Sequence, residues 1–247
     1  MAPPVPRTDP RAELKRLEVY KAKIDAAILE TNVKVYKARI DAAIKETDRR
    51  VAAASFTPGP GLALKGSPAH QTKFLNIVRR EMAVSPSFFN LMQSLNGDVR
   101  HRLEVTVSRN SDFLMDSFDS VYTAGQQEVD LADLEMLPAN PPADFPHAAT
   151  RGEILAHAMA EARGGAQGED YKRAHDIGIK AQNDYRDDRG QKGHRGEGGV
   201  ERNAAGNRTI NYDNGYWEVW VMDGSRITRV DRHHGTPPPP RPWDGPG

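Results

Sequence analysis

The chain contains no cysteine, so disulfides, cysteine-ligated zinc and thiol catalysis are excluded at once. No apolar run approaches the ~20 residues that a membrane-spanning helix needs, and the opening "MAPPVPRTDP" has no hydrophobic signal core. Net charge is also missing. The 34 basic and 34 acidic residues cancel, so no bulk field draws the chain toward nucleic acid or an anionic membrane. Hydrophobic residues make up only 38% of the sequence, against 21 glycines and 18 prolines, which assigns a sizeable part of it to linkers and tails. The rest of the 247 residues suffices for one medium domain with an arm, or for two small domains.

The arm is the most regular part. "VYKAKIDAAILETN" (19–32) returns as "VYKARIDAAIKETD" (35–48), a direct duplication at a spacing of 16 residues. Each copy is alanine-rich and free of Gly and Pro, with Tyr20, Ile24 and Ile28, then Tyr36, Ile40 and Ile44, at helical spacing. Sixteen residues at 100° each rotate the second stripe about 160° from the first. The arm is therefore either one helix with apolar strips on nearly opposite sides, or a hairpin broken near Asn32. Both forms invite a partner surface, although a solvated spacer helix has the same composition. Residues 1–54 read as this arm, and the Pro-Gly-rich 55–66 as a linker.

From Ser67 the pattern is that of an α+β domain, with boundaries at 67–232. Ser-Pro starts at 67 and 85 open two helices, and Asn-Gly closes the second. Leu103, Val105 and Val107 alternate as a strand does, and a short strand is expected at 128–132. "SDFLMDSFDSVY" (111–122) is ambiguous. Thr150, with Glu153 in the capping-box position, starts the helix "RGEILAHAMAEARGG", and a second helix is expected over 169–190. The stretch "RTINYDNGYWEVWVMDGSRITRV" reads as β hairpins, and the proline-rich 233–247 as a tail.

The residues that could carry chemistry lie on the two helices. His157 and Glu161 stand at i and i+4, so both side chains leave one helix face. His175, beyond the turn "RGGAQGED", can meet them if the second helix folds back antiparallel. A His-Glu-His set leaves a fourth position on a zinc ion for water, as hydrolytic sites do. The plain alternative is an exposed His/Glu pair with His175 packed nearby.

These residues resemble the zincin metallopeptidases, especially the effector and toxin-associated branch injected by bacteria. The matching positions are Leu155, His157, Glu161, Ala162, Gly164, His175, Asn183 and Arg186, within residues 126–196. The resemblance implies a zincin-like fold and Zn2+ held by His157, Glu161 and His175. It also implies hydrolysis of a protein in a target cell, by an effector made in a bacterial cytoplasm and released without a cleaved signal peptide. The arm (11–50) would then dock to secretion or contractile injection machinery. Ala158 occupies the position of the general-base glutamate, so the chain as written should bind metal and hydrolyse peptides poorly; Ala158→Glu would be expected to restore proteolysis. Tyr185 and Arg186 are candidates for transition-state hydrogen bonds.

Other residues offer weaker possibilities. His194, Arg195 and Glu197 could form a nuclease-like loop or a mobile glycine-rich lid. His233 and His234 read as a solvated terminus. Tyr216, Trp217 and Trp220 read as sheet packing, with a place in a substrate groove as the lesser option. A non-catalytic cargo or assembly protein, acting through the duplicated helix, is the rival to the peptidase as a whole.

Overall fold

The computed structural model describes residues 10–110, 125–196, 201–202, 206–224 and 226–235. The ambiguous 111–122, Glu197 and the tail beyond 235 lie outside the described residues. Two units are separable, Met1–Asp48 and Arg49–Gly247.

The described residues of the first unit belong to α1 (Pro10–Ala54), one helix with no break near Asn32. Tyr20, Ile24 and Ile28, and their repeats Tyr36, Ile40 and Ile44, are 51–63% exposed, so neither strip is covered. The duplication extends to its local bonds: Thr31 donates to the Ala27 carbonyl and Thr47 to that of Ala43, both at 2.9 Å.

The second unit begins inside the same helix. Arg49 donates to the Met82 carbonyl, and Ala53 and Phe56 are core residues. The stretch expected as a linker is folded: β1 (Leu62–Lys65) is a strand with Leu62 fully buried. It pairs in parallel with β2 (Leu103–Ser108), which pairs in parallel with β3 (Gln126–Asp130). Between β1 and β2 lie α2 (Pro68–Val84) and α3 (Pro86–Gly97), capped by Ser67 and Ser85 as their sequences predict. Leu103, Val105 and Val107 are the buried side of β2.

After β3 the short α4 (Leu131–Met136) leads to the proline-rich loop, then to α5 (Arg151–Ala166) and α6 (Tyr171–Asp188). A second sheet, antiparallel and in sequence order, contains β4 (Glu201–Arg202), β5 (Arg208–Asn211), β6 (Tyr216–Asp223) and β7 (Arg226–His234). The α+β class follows from these segregated helices and sheets.

Instead of lying on the surface as an amphipathic helix, α5 is enclosed. Thirteen of its 16 residues are buried, with α6 on one side and β2 and β3 on another, so it has no solvent face. Its alanine and glycine content fits this position, since small side chains let neighbouring elements close in from several directions.

Where α4 meets the second sheet, Asp133 is 2% exposed and accepts the Ile227 N–H at 3.0 Å. Burial, reinforced by the charge of Asp130, pushes its carboxyl up to about 6. An unfolded Asp ionises near pH 4, so between about pH 4 and 6 the unfolded chain releases a proton that the folded one keeps. Stability therefore falls as pH rises through this window, by up to about 3 kcal/mol. Asp133→Asn keeps the acceptor and should remove this loss, raising stability at pH 7 but not at pH 4. Urea midpoints at the two pH values check it.

Candidate metal centre

The facing sides of α5 and α6 are built for close approach. A Cβ added at Gly164 would come within 3.0 Å of Ala174 Cα, and one at Gly178 within 3.1 Å of both Glu161 Cβ and the His157 ring. A larger residue at either position requires its neighbours to give by a few tenths of an ångström. The space at Gly178 is taken by the side chains of His157 and Glu161; these two and His175 are 1%, 3% and 6% exposed.

These three side chains meet. His157 Nε2 lies 2.8 Å from Glu161 Oε2, and His175 Nδ1 lies 3.4 Å from Glu161 Oε1. One donor atom from each falls within 4.8 Å of the others, and the imidazoles cross edge to face at 4.9 Å. Around a tetrahedral zinc with bonds of ~2.0–2.1 Å, ligand atoms stand roughly 3.4 Å apart, so the set fits with small adjustments. His175 Nε2 is buried without a hydrogen-bond partner, and Tyr171 stacks on that ring at 5.6 Å. Burial pushes the Glu161 carboxyl up, but bonds and charge from His157 and His175 outweigh it and hold it below the usual range. An ionised carboxylate beside two imidazoles is the state a cation needs.

The neighbouring layer contains a residue that the sequence offered only as part of a loop. Arg195, 5% exposed, brings Nη1 to 3.3 Å from His157 Nδ1 and donates to Gln182 Oε1 at 3.0 Å. Gln182 was not singled out in the sequence, although its spacing of seven residues from His175 puts both on one face of α6. The contact of Arg195 has no sequence signal.

No family model, curated protein or solved structure matches this chain. The site therefore rests on its own geometry.

Ala158 is not beside the cluster's polar face. With Leu155, Met159 and Ala162 it forms an apolar stripe at i, i+3, i+4 and i+7, all of it in the hydrophobic core and Ala158 itself only 2% exposed. Glu153, His157, Glu161 and Gly164 form the stripe that faces α6. A longer side chain at 158 starts from the core side, which changes the expectation for a glutamate there.

Tyr185 and Arg186 lie two to three turns along α6 from His175 and have other work. Tyr185 donates to Glu81 Oε2 at 2.5 Å, and burial together with that carboxylate raises its hydroxyl far above the usual tyrosine range. Arg186 is fully buried against Glu153, donating to both carboxylate oxygens at 3.0 and 2.9 Å. The structure does not bring either residue to the three ligands. Four other candidates have partners of their own: His194 pairs with Asp187 at 2.8 Å, His233 stacks on Trp217, and Tyr216 and Trp220 are core residues bonded to buried Glu218. Glu218 also accepts the Ala149 N–H, tying the second sheet to the segment that starts α5.

Two surface depressions are described. One, of about 420 Å³, lies at Phe145, Asp231 and His233; the other, of about 470 Å³, at Asp176, Asp184, Asp187 and Arg195. Neither is lined by His157, Glu161 or His175.

Proposed function

We propose that the second unit is a zincin-like, zinc-binding domain whose His157–Glu161–His175 centre takes up the ion but does not hydrolyse peptides in the chain as it stands. The observation that supports metal uptake is the convergence of two imidazoles and a carboxylate, all buried, from adjacent helices onto one small volume. Zinc bound there would supply Lewis-acid polarisation and an activated water. The lack of hydrolysis follows from this chain's own residues. Ala158 has no group that accepts a proton and belongs to the core, and the two transition-state candidates are engaged elsewhere. The relation to injected bacterial peptidase effectors rests on the motif alone, and a protein of a target cell is the substrate class that motif implies.

A second reading, non-catalytic cargo or assembly through residues 11–50, is favoured by one observation. Both copies of the duplicated strip are exposed on α1. The two readings concern different units and can both hold.

The test loads the full chain with zinc and follows its thermal midpoint. An ion that binds only the folded state raises it, by about 2.7 kcal/mol of stability at a hundredfold excess over Kd. The wild type should gain and His175→Ala should not, while neither cleaves a whole-lysate protein substrate. Deleting residues 11–48 should leave the gain intact; a deletion to 50 would cut into the second unit, because Arg49 bonds to Met82. No gain in the wild type contradicts the metal reading, and cleavage by the wild type contradicts its inactivity.

A further inference from the structure

The side chain set against His157 Nδ1 has the wrong polarity for a bound metal. A histidine that ligates through Nε2 carries its hydrogen on Nδ1 and gives it to a carboxylate, a carbonyl or water. In this chain the group facing His157 Nδ1 is the Arg195 guanidinium, at 3.3 Å. Guanidinium has only donors. The contact therefore requires His157 to present a lone pair on Nδ1, which puts the ring hydrogen on Nε2. That nitrogen lies 2.8 Å from Glu161 Oε2, a close approach that does not have the geometry of a hydrogen bond. The nitrogen that should hold an ion is thus already occupied by a hydrogen, and Arg195 is the reason.

Arg195 is held in this position from several sides. Its backbone N–H donates to Asn183 Oδ1 at 2.8 Å and its carbonyl accepts from Asn183 Nδ2 at 3.1 Å, a two-point clasp by a single side chain. Gln182 Oε1 takes the same Nη1 at 3.0 Å. Yet Nη2 is buried with no hydrogen-bond partner, so the guanidinium is incompletely satisfied where it lies. On its outer side Arg195 lines the depression of about 470 Å³, in the company of Asp176, Asp184 and Asp187. Lys180 and His194 line it too, and its carboxylates are paired, Asp176 with Lys172, Asp184 with Lys180 and Asp187 with His194; Arg195 is the residue common to this depression and to His157.

We propose that Arg195 gates the metal centre: it holds His157 in the tautomer that cannot ligate through Nε2, and it must leave His157 before an ion binds. The inference rests on the zinc-binding reading above and adds to it a positioning residue. Metal uptake exchanges one arrangement for another. In the first, His157 and His175 stand at ion-pair distance from Glu161 and Arg195 caps His157. In the second, the three side chains hold the ion and the guanidinium has turned away from His157 toward the depression that it already lines.

The test measures Co2+ affinity by titration of the full chain at one pH, for the wild type, Arg195→Met and Asn183→Ala, with His175→Ala as the loss control. Methionine keeps much of the volume of the arginine stem and removes the donors. Arg195→Met should bind about tenfold tighter than the wild type, the size of effect that partners of metal-bound histidines have, here with opposite sign. Asn183→Ala, which only opens the clasp, should bind tighter by a smaller factor. A purely structural role for Arg195 would lower affinity, so a gain separates the two. If Arg195→Met is folded by circular dichroism and binds no tighter, the gate is wrong and the metal site stands. Should it fail to fold, Asn183→Ala decides by the same criterion. Absence of binding in all variants, the wild type included, overturns both the gate and the zinc reading.

Discussion

Glu153→Ala is expected to destabilise the second unit by about 3–5 kcal/mol, the usual cost of leaving one partner of a buried ion pair alone. Both Glu153 and Arg186 are fully buried. The guanidinium donates to both carboxylate oxygens, and Gln182 Nε2 and the Tyr212 hydroxyl each add a bond to Oε1 at 3.0 Å. Burial pushes the Glu153 carboxyl up, and the facing Arg186 opposes that rise. Arg186 goes further, donating to the carbonyls of His147, Lys192 and Gly193 and covering the Tyr212 ring at 4.3 Å. One network thus ties the start of α5, the end of α6, the loop at 192–193 and the second sheet. Losing the carboxylate leaves a buried cation with its charge uncompensated. Chemical denaturation of the variant measures the cost; a loss under about 1 kcal/mol would mean the network is solvated and not a core element. Arg186 is therefore engaged by Glu153 and by backbone carbonyls, and not by His157, Glu161 or His175.

Ala158→Glu is expected to cost at least about 3 kcal/mol, from overpacking a filled position and from burying a carboxylate without a partner. Leu155, Met159 and Ala162 share its stripe, all within the core. Ala158→Gln, of nearly the same size and uncharged, should cost less. The sign of the pH dependence separates the two terms. A buried glutamate has a raised folded pKa, so the unfolded state loses its proton first and stability falls as pH rises. Going down from pH ~8 to ~5 should therefore return part of the Ala158→Glu deficit and none of the Ala158→Gln deficit. Denaturation midpoints at both pH values check this. Zinc-dependent proteolysis by Ala158→Glu would show that the new carboxylate reaches the ligands, contrary to its place on the core stripe.

Much of the local structure was legible. Ser67, Ser85 and Thr150 cap the helices that their sequences announce, and the alternation at 103–107 is a half-buried strand. The i, i+4 spacing of His157 and Glu161, with a histidine beyond a glycine-rich turn, anticipated the cluster. Less legible was whatever depends on packing at a distance. β1 has four residues in a Pro-Gly context, too few for a periodic signal, and becomes a strand because β2 pairs with it. α5 looks amphipathic when its polar residues are counted, but Glu153, His157 and Glu161 face α6 and not water. Arg186 and Arg195 look alike in sequence. One is paired with a carboxylate and the other is set against an imidazole, and only tertiary contacts distinguish them.

The central claim is that three side chains from two helices hold one ion. Elemental analysis of the purified full chain, after zinc loading and removal of free metal, tests it most directly. About one zinc per chain is expected in the wild type, and close to none in His157→Ala. Equal zinc in both proteins, or none in either while Glu161 and His175 remain in place and the fold is intact, would contradict it.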